Sequence, residues 1–120
     1  MLVSENRPEW CIADLGIMAA GCITVPTYTT NTAPDHQHIL DNSGAHAVIV
    51  SDSKLAKNLL PSVISSSDAN IIIGISDLRI GQSGDFDLYS WDKLVQGSDA
   101  DVAEVTEQVA SITRDETACI

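Results

Sequence analysis

The stretch Ser4–Thr30 reads SENRPEWCIADLGIMAAGCITVPTYTT, and its punctuation decides the fold. Asn6 offers an N-cap with Glu9 three residues on, the spacing of a capping box. Pro8 fits the first helical turn, where its missing N–H costs nothing. Cys11, Leu15, Met18 and Cys22 then fall on one apolar stripe, with Ile12, Gly16 and Ala19 beside it. The small residues Ala13, Gly16, Ala19 and Ala20 let this helix lie close against a sheet. Gly21 supplies the helix stop. Cys22–Thr27 follows as a short strand, and Pro26, which cannot donate to a ladder, places it at an edge or ends it. Tyr28–Asn31 is an exposed polar loop. The stretch is strand end, helix, strand and loop, in that order.

Working outward, Met1–Ser4 reads as a strand with almost no lead-in, so the N-terminus is expected to be truncated. Thr32 caps the next helix, with Pro34 in its first turn and Asp35 three residues past the cap. That helix runs through Ile39 and Leu40 and stops at Ser43-Gly44. Ala45–Ser51 (AHAVIVS) is the clearest strand. Asp52 or Ser51 begins a helix carrying Leu55, Leu59 and Leu60, which Pro61 interrupts or ends. Ser65–Asp68 is a polar linker. Asn70–Ile75 (NIIIGI) is apolar throughout, as in a sheet covered on both faces.

Leu78–Asp87 is a glycine-rich surface loop, Leu88–Trp91 a short extended piece, and Asp92–Gln96 a helical turn closed by Gly97. Ser98–Val109 is a weak acidic helix or a linker. Thr113–Ile120 is a polar turn followed by the first residues of a new strand, which predicts a C-terminal truncation. Strands alternating with helices give the fold class: α/β, a mainly parallel sheet with flanking helices.

The 120 residues suffice for one modest domain. A formal charge of -11 argues against nucleic acid and anionic membrane as direct partners, because both demand clustered cations. The acidic run from Asp99 to Glu107 reads as a solvated face or linker rather than an acidic docking site. Cys11, Cys22 and Cys119 are odd in number, lack C-x-x-C spacing and sit among apolar residues. They predict three reduced, buried thiols in a cytosolic protein. No signal peptide is visible, and no apolar run is long enough to span a bilayer.

Few residues carry chemistry. DLGIMAAG places its glycines within a helix and is not a dinucleotide fingerprint. His36 and His38 are two apart on a helix and face different ways, which disfavours a metal pair. His46 alternates within a strand and reads as a half-buried core residue. Asp52 follows a buried strand, as a phosphoacceptor aspartate would, but its acidic and lysine partners are missing, so it reads as a helix cap. Lys54 and Lys57, one turn apart, are the only paired cations; a solvated face is the plainer reading and a phosphate contact the sharper one. The loop Thr27–Asn31 lies beyond a strand end, where open α/β sheets bind ligands, and a purely structural loop is the alternative.

SENRPEW, ADLGIMAAG and VPTYTT together resemble the adenylate-forming (AMP-binding) superfamily, specifically its long-chain acyl-CoA synthetase branch. HILDNSGAHAVIVSD, LYSWDKLVQ and RDETACI fit the same family in the same order. The resemblance implies that residues 1–120 are a partial N-terminal AMP-binding-type domain, cut at both ends. It implies a fatty acid–CoA ligase: a fatty acid carboxylate attacks ATP to give an acyl-adenylate, then the thiol of coenzyme A (CoA) displaces AMP. Mg2+ neutralises the phosphates. In the family the phosphate loop follows the strand beginning "ACI", so that loop, the nucleotide motifs and the catalytic lysine map onto no residue here.

What the resemblance carries over is a CoA-side surface: Thr29, Thr30 and Asn31 in the loop, with Lys54 and Lys57 as the basic pair. Short-chain relatives carry an aromatic-glycine-glycine loop and arginines there; this chain has neither. The implied parent is cytoplasmic or peripheral to a membrane, and the isolated chain is expected to be inactive. Two alternatives stand beside this: a ligase for another carboxylic acid, and a small self-sufficient α/β binding or regulatory domain.

Overall fold

A computed structural model of the chain describes residues 1–81, 84–97, 99 and 101–120. Five strands, β1 (Leu2–Val3), β2 (Pro26–Thr27), β3 (Ala47–Val50), β4 (Ile71–Gly74) and β5 (Asp87–Ser90), form one sheet in the order β2-β1-β3-β4-β5. Every pairing is parallel. The helices are α1 (Pro8–Ala19), α2 (Ala33–Ser43), α3 (Ser53–Ser65), α4 (Trp91–Gln96) and α5 (Val102–Ser111). The α/β class read from the sequence is the observed one.

Side-chain alternation divides the sheet into two layers. Val3, Val48, Val50 and Ile72 point to the face covered by α2 and α3, where they bury Leu40, Ala56, Leu59 and Val63. Leu2, Ile49, Ile73 and Ile75 point to the other face, where α1 supplies Trp10, Ala13 and Ile17 and α4 supplies Trp91. The apolar NIIIGI stretch is thus read on both sides. The second layer is thinner, and its open part is a cavity of about 750 Å³ bordered by Ile12, Ile17, Ile23, Ile49, Trp91 and Ile120.

The helix punctuation is mostly as expected. Asp35 accepts from the Thr32 N–H at 2.8 Å and from its hydroxyl at 2.7 Å, completing the capping pair of α2. Those two donors hold the Asp35 carboxyl below its ordinary range, the backbone N–H contributing most. Gly44 ends α2 at φ +61, a left-handed conformation that suits glycine. Asp52 caps α3, its carboxylate accepting from the Leu55 N–H at 2.9 Å. Gly21, at φ +71, ends α1 by donating to Met18 O at 2.9 Å, while Cys22 donates to Ile17 O at 3.0 Å. Those two bonds are the paired closure of a Schellman turn.

Several expectations are corrected. Residue Arg7, not Asn6, is the N-cap of α1, and no side chain caps it. Glu9 turns instead to the Arg7 guanidinium at 2.7 Å, which lowers its carboxyl pKa. The buried face of α1 is Trp10, Ala13 and Ile17, whereas Cys11 and Leu15 are exposed, Leu15 at 64%. This helix is apolar nearly all round, so periodicity alone had no power to select the buried side. All three cysteines are unpaired, but all are exposed rather than buried.

Pro61 neither ends nor interrupts α3, which continues to Ser65. His46 is exposed, although its carbonyl accepts from the N–H groups of Asn70 and Ile71. Of the acidic segment Ser98–Val109, expected as helix or linker, the part from Val102 on belongs to helix α5; Ser98 and Ala100, like Gln82 and Ser83 of the glycine-rich stretch, lie outside the described residues.

Pro26 lies in the outermost named strand, as its missing donor requires. One residue pair lies beyond it: Thr24 pairs in parallel with Cys119, donating to Ala118 O at 3.0 Å and accepting from the Ile120 N–H at 3.1 Å. The new strand expected from Ala118 on is represented by this isolated bridge alone, outside the five named strands.

Candidate functional site

Chain order sets where a site should lie. From β1 the chain moves one way to β2, then crosses back over β1 to β3. The crevice at the carboxyl ends of β1 and β3 is the switch point at which open α/β sheets take ligands. Its walls are Ser4-Glu5-Asn6-Arg7 after β1 and Ser51-Asp52-Ser53 after β3.

These residues form a closed polar network. Ser51 is fully buried, and its hydroxyl donates to Glu5 Oε2 at 2.6 Å. Arg7 Nη1 lies 3.6 Å from Glu5 Oε1, and Arg7 Nε donates to Glu9 Oε2 at 2.7 Å. The guanidinium pKa is raised, chiefly by the hydrogen bond to Glu9. Next to it, Ser53 Oγ accepts from the Arg79 N–H at 2.9 Å, tying the loop after β4 to the start of α3. Three carboxylates, Glu5, Glu9 and Asp52, thus surround one arginine that two of them already hold.

A phosphate entering this crevice would meet net negative charge and a committed cation. The residues present do not fit the phosphates of a nucleotide. Among the described residues no group of three His, Cys, Asp or Glu side chains converges as a metal site.

The sequence-predicted residues lie at the same edge of the sheet, on the side of α2 and α3. Thr29 and Asn31 are half-buried and Thr30 is exposed in the loop that leads from β2 into α2. The Asn31 N–H closes a turn on Tyr28 O at 3.2 Å. Lys54 and Lys57 are exposed on the first two turns of α3. No ion pair among the described residues involves either lysine, and no hydrogen bond among them joins the lysines to the loop. The loop and the basic pair share an edge without forming a closed site; a solvent-facing pair can meet one phosphate group, not enclose it.

Sequence reasoning missed the Glu5–Ser51–Arg7–Glu9 network. Its signal was present: SENRPE and VSD both follow strands, but only the crossover places them side by side. The assignment of Asp52 as a cap stands. His36 and His38 divide as expected, one buried and one exposed.

The AMP-binding enzyme family matches the chain over residues 1–120. Among curated relatives, the long-chain-fatty-acid–CoA ligase FadD15 of Mycobacterium tuberculosis is 31% identical over 113 residues, covering 93% of this chain and 18% of the relative. The long-chain-fatty-acid–CoA ligase ACSBG2 of Xenopus laevis is 28% identical over 111 residues, covering 92% and 15%. Its Homo sapiens counterpart is 26% identical over 95 residues, covering 79% and 14%. The chain spans less than a fifth of the length of these relatives. It belongs to the AMP-binding enzyme family.

Proposed function

We propose that this member of the AMP-binding enzyme family is a scaffold segment in the large N-terminal domain of a long-chain fatty acid–CoA ligase. The observation that carries the reading is the family match across the whole chain together with relatives whose names state that activity. The parent would use ATP, Mg2+ and CoA on a fatty acid, in the cytoplasm or peripheral to a membrane. No helix among the described residues is long and apolar enough to cross a membrane.

The 120 residues themselves supply a sheet, its covering helices and a self-paired polar edge. Glu5, Arg7, Glu9 and Ser51 are engaged with one another, which supports scaffold rather than catalysis. Thr29, Thr30, Asn31, Lys54 and Lys57 are the positions proposed to approach the nucleotide end of CoA. The two exposed lysines fit contact with a phosphate there, and they supply charge alone.

The test is ATP–pyrophosphate exchange by the purified 120-residue chain with palmitate and Mg2+. Exchange at background is expected; turnover above background overturns the assignment of the chemistry to residues outside this chain.

A further inference from the structure

His36 is the one histidine buried within the fold among the described residues, 1% exposed, on the face of α2 that meets the sheet and α3. Its Nδ1 has no hydrogen-bond partner. The buried core that α2 shares with α3 and the sheet is built of apolar residues: Leu40 on α2, Ala56, Leu59, Leu60 and Val63 on α3, and Val3, Val48 and Val50 on the sheet. Ser62 Oγ, buried on α3, is occupied in donating to Ala33 O at 2.7 Å, the bond that ties α2 to α3. A neutral ring tolerates this site, but an imidazolium carries an N–H on both nitrogens, and among the described residues no acceptor meets Nδ1.

We propose that His36 is an acid-released latch, holding α2, and with it the loop Tyr28–Asn31, against α3 and the sheet while its ring is neutral. Protonation then favours states in which α2 has lifted. Of the charged groups nearby, Asp35 alone acts on the ring and favours the proton; desolvation opposes it and is the larger effect, so the pKa lies below its ordinary value of 6.5. His38 and Asp41 on α2 and Lys57 on α3 are exposed. The Met1 amino group, buried at the start of β1 and donating to Ala47 O, is lowered by burial to about 6.

The sign follows from linkage. A ring whose folded pKa is depressed contributes stability present above 6.5, and that stability is lost as pH falls below it. A single proton changes the folding constant by up to about tenfold per pH unit. Because the Met1 amine titrates in an overlapping range, the readout is a ratio between wild type and His36→Leu, which share that amine.

Urea unfolding of both chains from pH 7.5 to 5.0 is expected to show the wild-type folding constant falling relative to the variant below pH 6.5, by up to about tenfold per unit. A flat ratio overturns the proposal. Two measurements on the wild type do not depend on the variant folding. His36 ring resonances should keep their neutral shifts to below pH 6.5; a ring titrating at or above that value in the folded chain overturns the latch. Amide protection, corrected for intrinsic exchange, should drop on acidification across residues 33–43 while β3 and β4 stay protected. Loss spread evenly over the sheet overturns the local release of α2.

Discussion

At the scale of single residues, the helix ends of this fold are held by short contacts between near neighbours in the chain. Asp52 satisfies the Leu55 N–H at the start of α3, so Asp52→Ala should cost about 1 kcal/mol in denaturant unfolding at neutral pH. Gly44 has open space around it but a backbone at φ +61. Gly44→Ala should therefore destabilise by about 1 kcal/mol through conformational strain, with no clash to relieve. Both capping residues were legible from the sequence because each closes its helix on a residue no more than four positions away. The Glu5–Ser51 bond joins residues 46 apart, and nothing local announces it. His36 belongs to the same class: a polar residue in a helix gives no sign of the apolar surface that closes over it.

At the scale of elements, the instructive contrast is α3 against α1. Helix α3 has a sided pattern, and its Leu59 is 1% exposed beneath α2. Leu59→Ala should cost about 2–5 kcal/mol, the sum of lost transfer energy and a residual cavity. Leu15 on α1 is as apolar but 64% exposed, so Leu15→Lys should change the unfolding free energy by less than about 0.5 kcal/mol. Equal losses at the two sites in parallel urea titrations would mean that the outer face of α1 is packed. The cysteine expectation failed at Cys11 for the same reason, since that residue rides on the outer face of α1. Pro61 shows a different limit: a proline costs its own N–H bond and crowds the preceding turn, yet Leu59, Leu60 and Val63 bury enough surface on either side to keep α3 continuous.

At the scale of the whole molecule, one layer is closed and the other is not. The α2–α3 face has a packed core, while the α1 face keeps a cavity of about 750 Å³ and exposes Ile12 at 57% and Ile23 at 47%. Such an apolar surface should bind 1-anilinonaphthalene-8-sulfonate in native buffer, with fluorescence well above that of a closed single-domain protein of the same size. Absence of dye binding by a monomeric chain would show the layer to be sealed. The switch-point crevice is the other whole-molecule feature. It sits where open α/β sheets take ligands, but here it is filled by its own carboxylates and arginine.

The sequence by itself determined the element order, the α/β class, the caps of α2 and α3, the glycine stops and the family. Each of these rests on near neighbours in the chain, or on motifs long enough to be specific. Tertiary structure alone decided which face of α1 is buried, that all three cysteines and His46 are exposed, that α3 runs through its proline, and that Glu5, Arg7 and Ser51 meet. The last of these depends on the crossover that returns β3 beside β1. A contact between residues far apart in the chain is set by the packing of whole layers, which no local pattern encodes.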